Sequence, residues 1–426
     1  MMESIIKFFN KSPSGLLPSP MYEYTDQNRD TWCVNAEHAM SGNNAGSTKI
    51  CCMYKNENLT HYLGKDSIVE SFNQKAFQKA RKDLGTGIRH SYCSWCFEEE
   101  DAGRKSKRLR DNEKYLGSFT AGETGYQGLA KVELNLGNTC NLKCRTCAPH
   151  SSSTWMQEYF DIYEKKSYGT FKSYAQEMKK YHQYYDEESP FWDDLVSNLS
   201  TIRQFDFYGG EPFMSKKMWK VLEKAVEMGY SKQMEVHYAT NGTHWPEENI
   251  QIFKHFKHVH LSFSIDGVDK SFEYMRFPAQ WEDVKSNMRK AREFNRINSN
   301  LYLGWCITLS TANIYTLPEI LKVHSEEFKD FGPYLNLVHG PIWYNVNQLP
   351  ENVKHHVIEK LETIDDKIAD QHMLNYHVPG IINYIKQGKP NEENWKNFLY
   401  YTGIHDEYRK QNFKEVFPEY AKIIQF

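Results

Sequence analysis

Between residues 126 and 345, short runs of alternating apolar and polar positions are separated by longer stretches with a helical period. The short runs predict strands over Lys131–Leu136, Ile202–Tyr208, Gln233–Thr240, His258–Ile265, Asn300–Leu309 and Leu335–His339. Helical patterns at Ser215–Met228, Asn249–Phe256, Trp281–Phe294 and Thr316–Phe328 lie between them. Such strand–helix alternation predicts an α/β fold with a parallel sheet or barrel. The Tyr- and Lys-rich stretch Tyr163–Glu188 breaks the rhythm and reads as an insertion or an extended helix.

The strands are less apolar than parallel strands covered on both faces usually are. Glu133 and Asn135 alternate with Val132, Leu134 and Leu136, and Gln204, Asp206 and Tyr208 with Phe205 and Phe207. Glu235 and His237 alternate with Val236 and Tyr238, and His260, Ser262 and Ser264 with Leu261, Phe263 and Ile265. The apolar phase is expected under the covering helices, so the polar phase should line the interior. A polar interior is either a wetted pocket or a self-satisfied hydrogen-bond network, and the two can hold at different depths.

Outside this region the pattern changes. Residues 1–125 are rich in turn formers, as in Ser41–Ser47, and carry a basic run, Gly103–Arg110, expected to be a solvated connector. Thr120–Gly125 reads as a linker. Residues 346–426 are helical and polar, with a helix from Pro350 through Ile364. Three domains are expected, over 1–125, 126–345 and 346–426.

Hydrophobic residues make up 40% of the 426 and charged residues 25%, with a formal net charge of −3. That balance lacks the basic footprint of a nucleic-acid binder. Met1–Asn10 lacks the layout of a signal peptide, and no run approaches the ~20 apolar residues that span a bilayer. A cytoplasmic protein with no membrane or nucleic-acid partner is expected.

The nine cysteines fall into groups, which in such a chain favours metal binding over disulfides. Cys140, Cys144 and Cys147 follow the first predicted barrel strand. Three thiolates within eight residues can hold three corners of one iron–sulfur cluster, and no fourth cysteine follows. One iron is then left for a non-protein ligand, a catalytic feature as it is for zinc.

The Cys-x3-Cys-x2-Cys loop after a strand resembles the signature of the radical S-adenosylmethionine (SAM) superfamily. Phe207-Tyr-Gly209-Gly210-Glu211-Pro212, at the next strand end, resembles that family's Gly-Gly-Glu motif. Asn241 in Ala239–Thr243, and Ser264 and Asp266 in Ser264–Gly267, resemble two further strand-end motifs. The resemblance implies a partial (β/α)6 TIM-like barrel and a [4Fe–4S] cluster on Cys140, Cys144 and Cys147. It implies SAM held by Gly209, Gly210, Glu211, Pro212, Asn241, Ser264 and Asp266, with Glu211 toward the methionine ammonium and Ser264 and Asp266 near the ribose. The activity it implies is reductive cleavage of SAM to a 5′-deoxyadenosyl radical that takes hydrogen from a peptide or small-molecule substrate. Electrons would come from a one-electron reductant such as flavodoxin or ferredoxin. Thr146 departs from the family, which often has an aromatic residue before the third cysteine.

Cys33-x12-Gly46-x4-Cys51, followed by Cys93-x2-Cys96, resembles the Twitch form of the SPASM auxiliary domains, here placed before the barrel as a small α+β domain. Leu63-Gly64, Ser67-Ile68 and Phe77…Arg81 fit the same pattern. The resemblance implies a second, auxiliary [4Fe–4S] cluster. Four thiolates equally fit a structural zinc site, and Cys52 stands beside Cys51 as an alternative ligand. A non-catalytic iron–sulfur electron carrier or scaffold is the competing class of function. The catalytic residue that relays a proton is not readable from these motifs.

Overall fold

The computed structural model describes residues 22–55, 59–101, 105–120, 128–179 and 184–426, side chains 117–120 excepted. Met1–Asn10 and the linker positions Ala121–Gly125 lie outside the described residues. Eight strands are present: β1 (Ala39–Gly42), β2 (Thr48–Lys49), β3 (Lys131–Asn135), β4 (Gln204–Tyr208), β5 (Glu235–Thr240), β6 (His258–Ser264), β7 (Leu301–Leu309) and β8 (Gly332–Leu337). They form one sheet in the order β2-β1-β3-β4-β5-β6-β7-β8. β1 runs parallel to β3, β3 to β4, β6 to β7 and β7 to β8, while β2 is antiparallel to β1. β3–β7 match five predicted strands to within two residues at each end, and β8 starts three residues before the predicted Leu335–His339 and ends two before it; β1 and β2 come from the cysteine-rich segment and were not foreseen. The chain divides into two compact units, residues 1–138, 178–237 and 255–257 in one and 139–177, 238–254 and 258–426 in the other.

In the first unit, β3 and β4 are buried on both faces almost throughout. Val132, Leu134, Phe205 and Phe207 supply the apolar face, each fully buried. The polar phases lie in register, Lys131 beside Gln204 and Glu133 beside Asp206. Lys131 Nζ stands 3.2 Å from both the Glu133 and Asp206 carboxylates, and Lys107 Nζ stands 3.1 Å from Glu133 and 3.0 Å from Asp111. Burial works against ionising Glu133 and Asp206. The lysines nonetheless hold both carboxyls below their usual range, since an uncompensated buried charge would cost far more than a paired one.

Among its described residues, 105–110, the basic run is only partly solvated: Lys105 and Arg110 are exposed, whereas Ser106 and Arg108 are buried. Lys107 and Arg108 open a helix over Lys107–Thr120, and Arg108 is buried, donating to Glu100 Oε1 at 3.0 Å and to the Trp32 carbonyl at 2.8 Å. The motif positions upstream have structural roles. Gly64 has φ +82°, Ser67 and Glu70 form a capping box on the helix Ile68–Phe72, and Phe77 is core. Buried Arg81 donates to the carbonyls of Ala36 and Phe72, both at 2.8 Å.

In the second unit, β6 and β7 alternate strictly. Val259, Leu261 and Phe263, with Leu301, Leu303, Trp305, Ile307 and Leu309, are buried, whereas the intervening positions are half-buried or exposed. The helix Trp281–Asn298 turns Trp281, Val284, Met288 and Ala291 inward, and Trp305 Nε1 donates to Met288 Sδ at 3.0 Å. Residues after 345 form the helices Glu351–Leu361, Val378–Gln387 and Glu392–Arg409 and two short ones. No helix among the described residues is long and apolar enough to cross a membrane.

Candidate functional site

The three-cysteine loop belongs to the second unit from Thr139 onward. Cys140 is buried, and its sulfur accepts from Leu142 N at 3.4 Å and from Asn241 Nδ2 at 3.7 Å. Asn241 also donates to Asn141 Oδ1 at 2.9 Å, while its own oxygen accepts from the Thr243 amide and hydroxyl. The Thr-Asn-Gly turn after β5 thereby grips the loop at its first cysteine.

Burial pushes the Cys144 thiol up to about 11, with Arg276 pulling the other way, and pushes Cys147 up to about 12, with Cys144 and Cys140 adding to it. The three thiols are thus electrostatic neighbours in a desolvated place.

Asp266, one residue beyond the Ile265 that follows β6, is buried with both carboxylate oxygens occupied. Arg276 Nη1 donates to one at 2.6 Å and Thr308 N to the other at 3.0 Å. Its backbone carbonyl accepts from Asn313 Nδ2 at 2.8 Å. Ser264 is half-buried and pairs in register with Cys306 of β7.

Gly209, Gly210, Glu211 and Pro212 lie in the first unit, directly after β4. Gly209 and Gly210 have φ +79° and +52°, and a Cβ on Gly209 would fall 1.6 Å from Asn135 Oδ1. Only glycine meets both demands. Glu211 is buried and caps the next turn, its Oε1 accepting from Phe213 N at 3.1 Å.

The early cysteines also lie in the first unit. Cys33, Cys51, Cys93 and Cys96 line one cavity together with Lys107 and Arg108. Burial pushes Cys33 up to about 12 and raises Cys51, Cys93 and Cys96, with neighbouring cysteines adding to the rise for Cys33, Cys51 and Cys93. Cys52 does not line the cavity; its amide donates to Glu133 Oε2 at 3.0 Å.

Among the described residues, no three His, Cys, Asp or Glu side chains are arranged to hold a single metal ion. A mononuclear zinc site gathers its sulfurs at about 2.3 Å from one centre, whereas a four-iron cluster spreads its thiolates over a cube. Four cysteines lining one cavity supply a donor set that suits a four-iron cluster and, by number, a structural zinc ion as well. The three-thiol loop fits a cluster with one corner left to another ligand.

Three contributors carried no sequence motif. Arg276 comes ten residues after Asp266 and was invisible until folding paired them. Asn313 and Lys107 are ordinary polar positions in the chain, and only the i,i+4 pair of Lys107 with Asp111 was open to reading.

Among curated proteins, the chain resembles the sporulation killing factor maturation protein SkfB of Bacillus subtilis (strain 168), 22% identical over 182 residues. That match covers 42% of this chain and spans 36% of the relative. Among solved structures it resembles native anSMEcpe with bound AdoMet, at 18% identity and TM-score 0.38, covering 62% of this chain and 68% of the other. It also resembles Streptococcus suis SuiB bound to S-adenosylmethionine, at 12% identity and TM-score 0.34, covering 72% and 63%. The loop of Cys140, Cys144 and Cys147 and the strand ends at Gly209, Asn241, Ser264 and Asp266 all fall within residues 134–309, the segment that matches the model of the Radical SAM superfamily.

Proposed function

We propose that this chain is a radical SAM enzyme acting on a peptide or small-molecule substrate. The observation that carries the reading is the three-thiol loop, gripped at Cys140 by Asn241, inside a segment that matches the superfamily. Cys140, Cys144 and Cys147 would hold a [4Fe–4S] cluster. When bound and reduced, that cluster supplies one electron to SAM, whose cleavage yields methionine and a 5′-deoxyadenosyl radical able to take hydrogen from an unreactive C–H bond.

The chain's own residues bind, orient and exclude water. Leu142 N and Asn241 Nδ2 donate to the Cys140 sulfur and favour its thiolate form. Arg276, itself held by Asp266, does the same for Cys144 through its charge. The Gly209–Pro212 turn offers carbonyls and the Glu211 carboxylate to an ammonium, which is donor-only. Ser264 and Asp266 are proposed for the SAM ribose. Asp266 would do so with its remaining lone pairs, because its protein partners leave each oxygen able to accept again.

Residues 1–125 are proposed as a Twitch-like auxiliary domain in which Cys33, Cys51, Cys93 and Cys96 hold a second [4Fe–4S] cluster, with zinc as the alternative. Cys51 is preferred to Cys52 because it lines the shared cavity. Lys107 and Arg108 would offset part of the thiolate charge there. The relative SkfB is named for maturing a killing factor. A maturation substrate, modified after synthesis, is therefore the first class to screen. A flavodoxin or ferredoxin would supply the electron.

The test is anaerobic reconstitution followed by SAM and dithionite, with 5′-deoxyadenosine as the readout. The reading predicts its formation and a charge-transfer absorption typical of an iron–sulfur protein. Iron–sulfur absorption without SAM cleavage would instead support a non-catalytic carrier.

A further inference from the structure

The C-terminal region contains no recognisable motif, yet it reaches the cysteine loop through its own buried Asp406 and through His405 and Arg409, which bond to the buried Glu158. Between Cys140 and Cys147 the loop carries two cations, Lys143 and Arg145, and each is tied to a different anion. Arg145 is buried; its Nη2 donates to Asp406 Oδ1 at 2.5 Å and to Gln411 Oε1 at 2.8 Å. Its guanidinium lies 3.9 Å from the Tyr274 ring centre. Asp406 accepts further bonds from Tyr274 OH and from Phe413 N, both at 2.7 Å.

Lys143 Nζ stands 2.9 Å from Glu158, which lies on the segment following the loop. Glu158 is 1% exposed and also accepts from His405 Nδ1 at 2.7 Å and Arg409 Nε at 2.8 Å. Arg409 in turn lies over Trp155, whose Nε1 donates to the Cys144 carbonyl at 2.9 Å. His405, Asp406 and Arg409 thus occupy the last turns of the helix Glu392–Arg409 and reach the loop by two independent routes.

We propose that Asp406 and Glu158 are positioning residues for the cysteine loop, and that the helix Glu392–Arg409 fixes the loop's conformation through Arg145 and Lys143. The inference rests on the reading of this loop as the cluster-holding segment. The two carboxylates are engaged by the cations and by neighbouring donors, so their role is to hold the segment that presents the thiols. They also pair with Lys143, Arg145 and Arg409 and offset two of those three positive charges near the thiolate set. Removing a carboxylate should therefore loosen the loop and leave excess positive charge beside it. The first effect speeds cluster loss, and the second raises the reduction potential.

Asp406→Asn keeps the shape of the side chain and removes the charge. In anaerobically reconstituted full-length protein it should lose iron to a chelator several-fold faster than wild type and shift the midpoint potential upward. Asp406→Glu, which restores the charge at a slightly different reach, should recover part of both. Lys354→Met is the control. Lys354 is buried in the same C-terminal region, donating to Glu351 and to the Gly388 carbonyl, and touches none of the loop residues. At a matched loss of thermal stability it should leave both the iron-loss rate and the potential unchanged.

Equal iron loss and an unchanged potential in Asp406→Asn would overturn the proposal. So would equal effects from Lys354→Met, which would reduce the helix to general scaffolding. If wild-type protein takes up no cluster on Cys140, Cys144 and Cys147, the reading of the loop fails first, before the role of the helix is tested.

Discussion

Glu211 accepts from Phe213 N in the folded chain and is assigned a further task, receiving the ammonium of SAM. A substitution that keeps the first and removes the second separates them. Glu211→Gln retains a carbonyl oxygen for the cap, so iron content and melting temperature should match wild type while SAM binding weakens by tenfold or more, a loss of at least about 1.4 kcal/mol. Calorimetric titration with SAM checks this, and an unchanged dissociation constant would move the ammonium contact elsewhere. Glu211→Ala should add a stability cost of about 1 kcal/mol from the lost cap.

Glu158 offers a pH-dependent test at the same scale. His405 and Arg409 are among the partners that hold its carboxyl down to about 2, against the penalty of burial. A carboxyl depressed below its unfolded value of 4.5 contributes stability that is fully present above pH 4.5 and is lost as pH falls toward 2. Glu158→Gln in cluster-free protein should therefore be less stable than wild type near neutrality. The gap should close as the pH drops from 4.5 toward 2. A gap that stays constant across that range would deny Glu158 its ionised role.

At the scale of elements, the alternation in β3–β7 was legible, while the last strand was placed three residues late. What one sequence could not divide was pocket from network. β3 and β4 resolve as network, because Lys131, Glu133 and Asp206 find partners within the sheet and Lys107 arrives from a helix that sequence reading took for a connector. β6 and β7 resolve differently, with His260, Ser262 and Ser264 half-buried at the surface of the sheet. The difference depends on what covers each face, which local periodicity does not encode. β1 and β2 were missed because they are four and two residues long and too short to carry a period. Lys131→Met should expose the consequence of the network. It leaves Glu133 and Asp206 without their shared cation in a buried place and should cost about 3–5 kcal/mol. Urea unfolding of the cluster-free protein measures it, and a cost below about 1 kcal/mol would mean that water or Lys107 compensates.

For the whole molecule, the spacing of the early cysteines could be read along the chain, but the cavity that gathers them and its cationic lining could not. Cys33, Cys51, Cys93 and Cys96, drawn from three separate segments, line one cavity, while Cys52 turns to a backbone role at Glu133. If they hold a second cluster, wild-type protein reconstituted with iron and sulfide should carry about eight irons per chain, two cubanes' worth, and Cys93→Ala about four. Stoichiometric zinc that disappears in Cys93→Ala would make this a zinc module. The C-terminal region was legible as helical, but the helix Glu392–Arg409 was not placed and its partnership with the loop was not readable, since Arg145 and Asp406 lie 261 residues apart in the chain.

The central claim is that Cys140, Cys144 and Cys147 hold the cluster at which SAM is cleaved. Its most direct test is the triple Cys→Ala variant, compared with wild type for iron content and for 5′-deoxyadenosine formed from SAM and dithionite. The account predicts a variant that folds, lacks about four irons per chain, one cubane's worth, and forms no 5′-deoxyadenosine. A folded variant that keeps its iron and still cleaves SAM would contradict it.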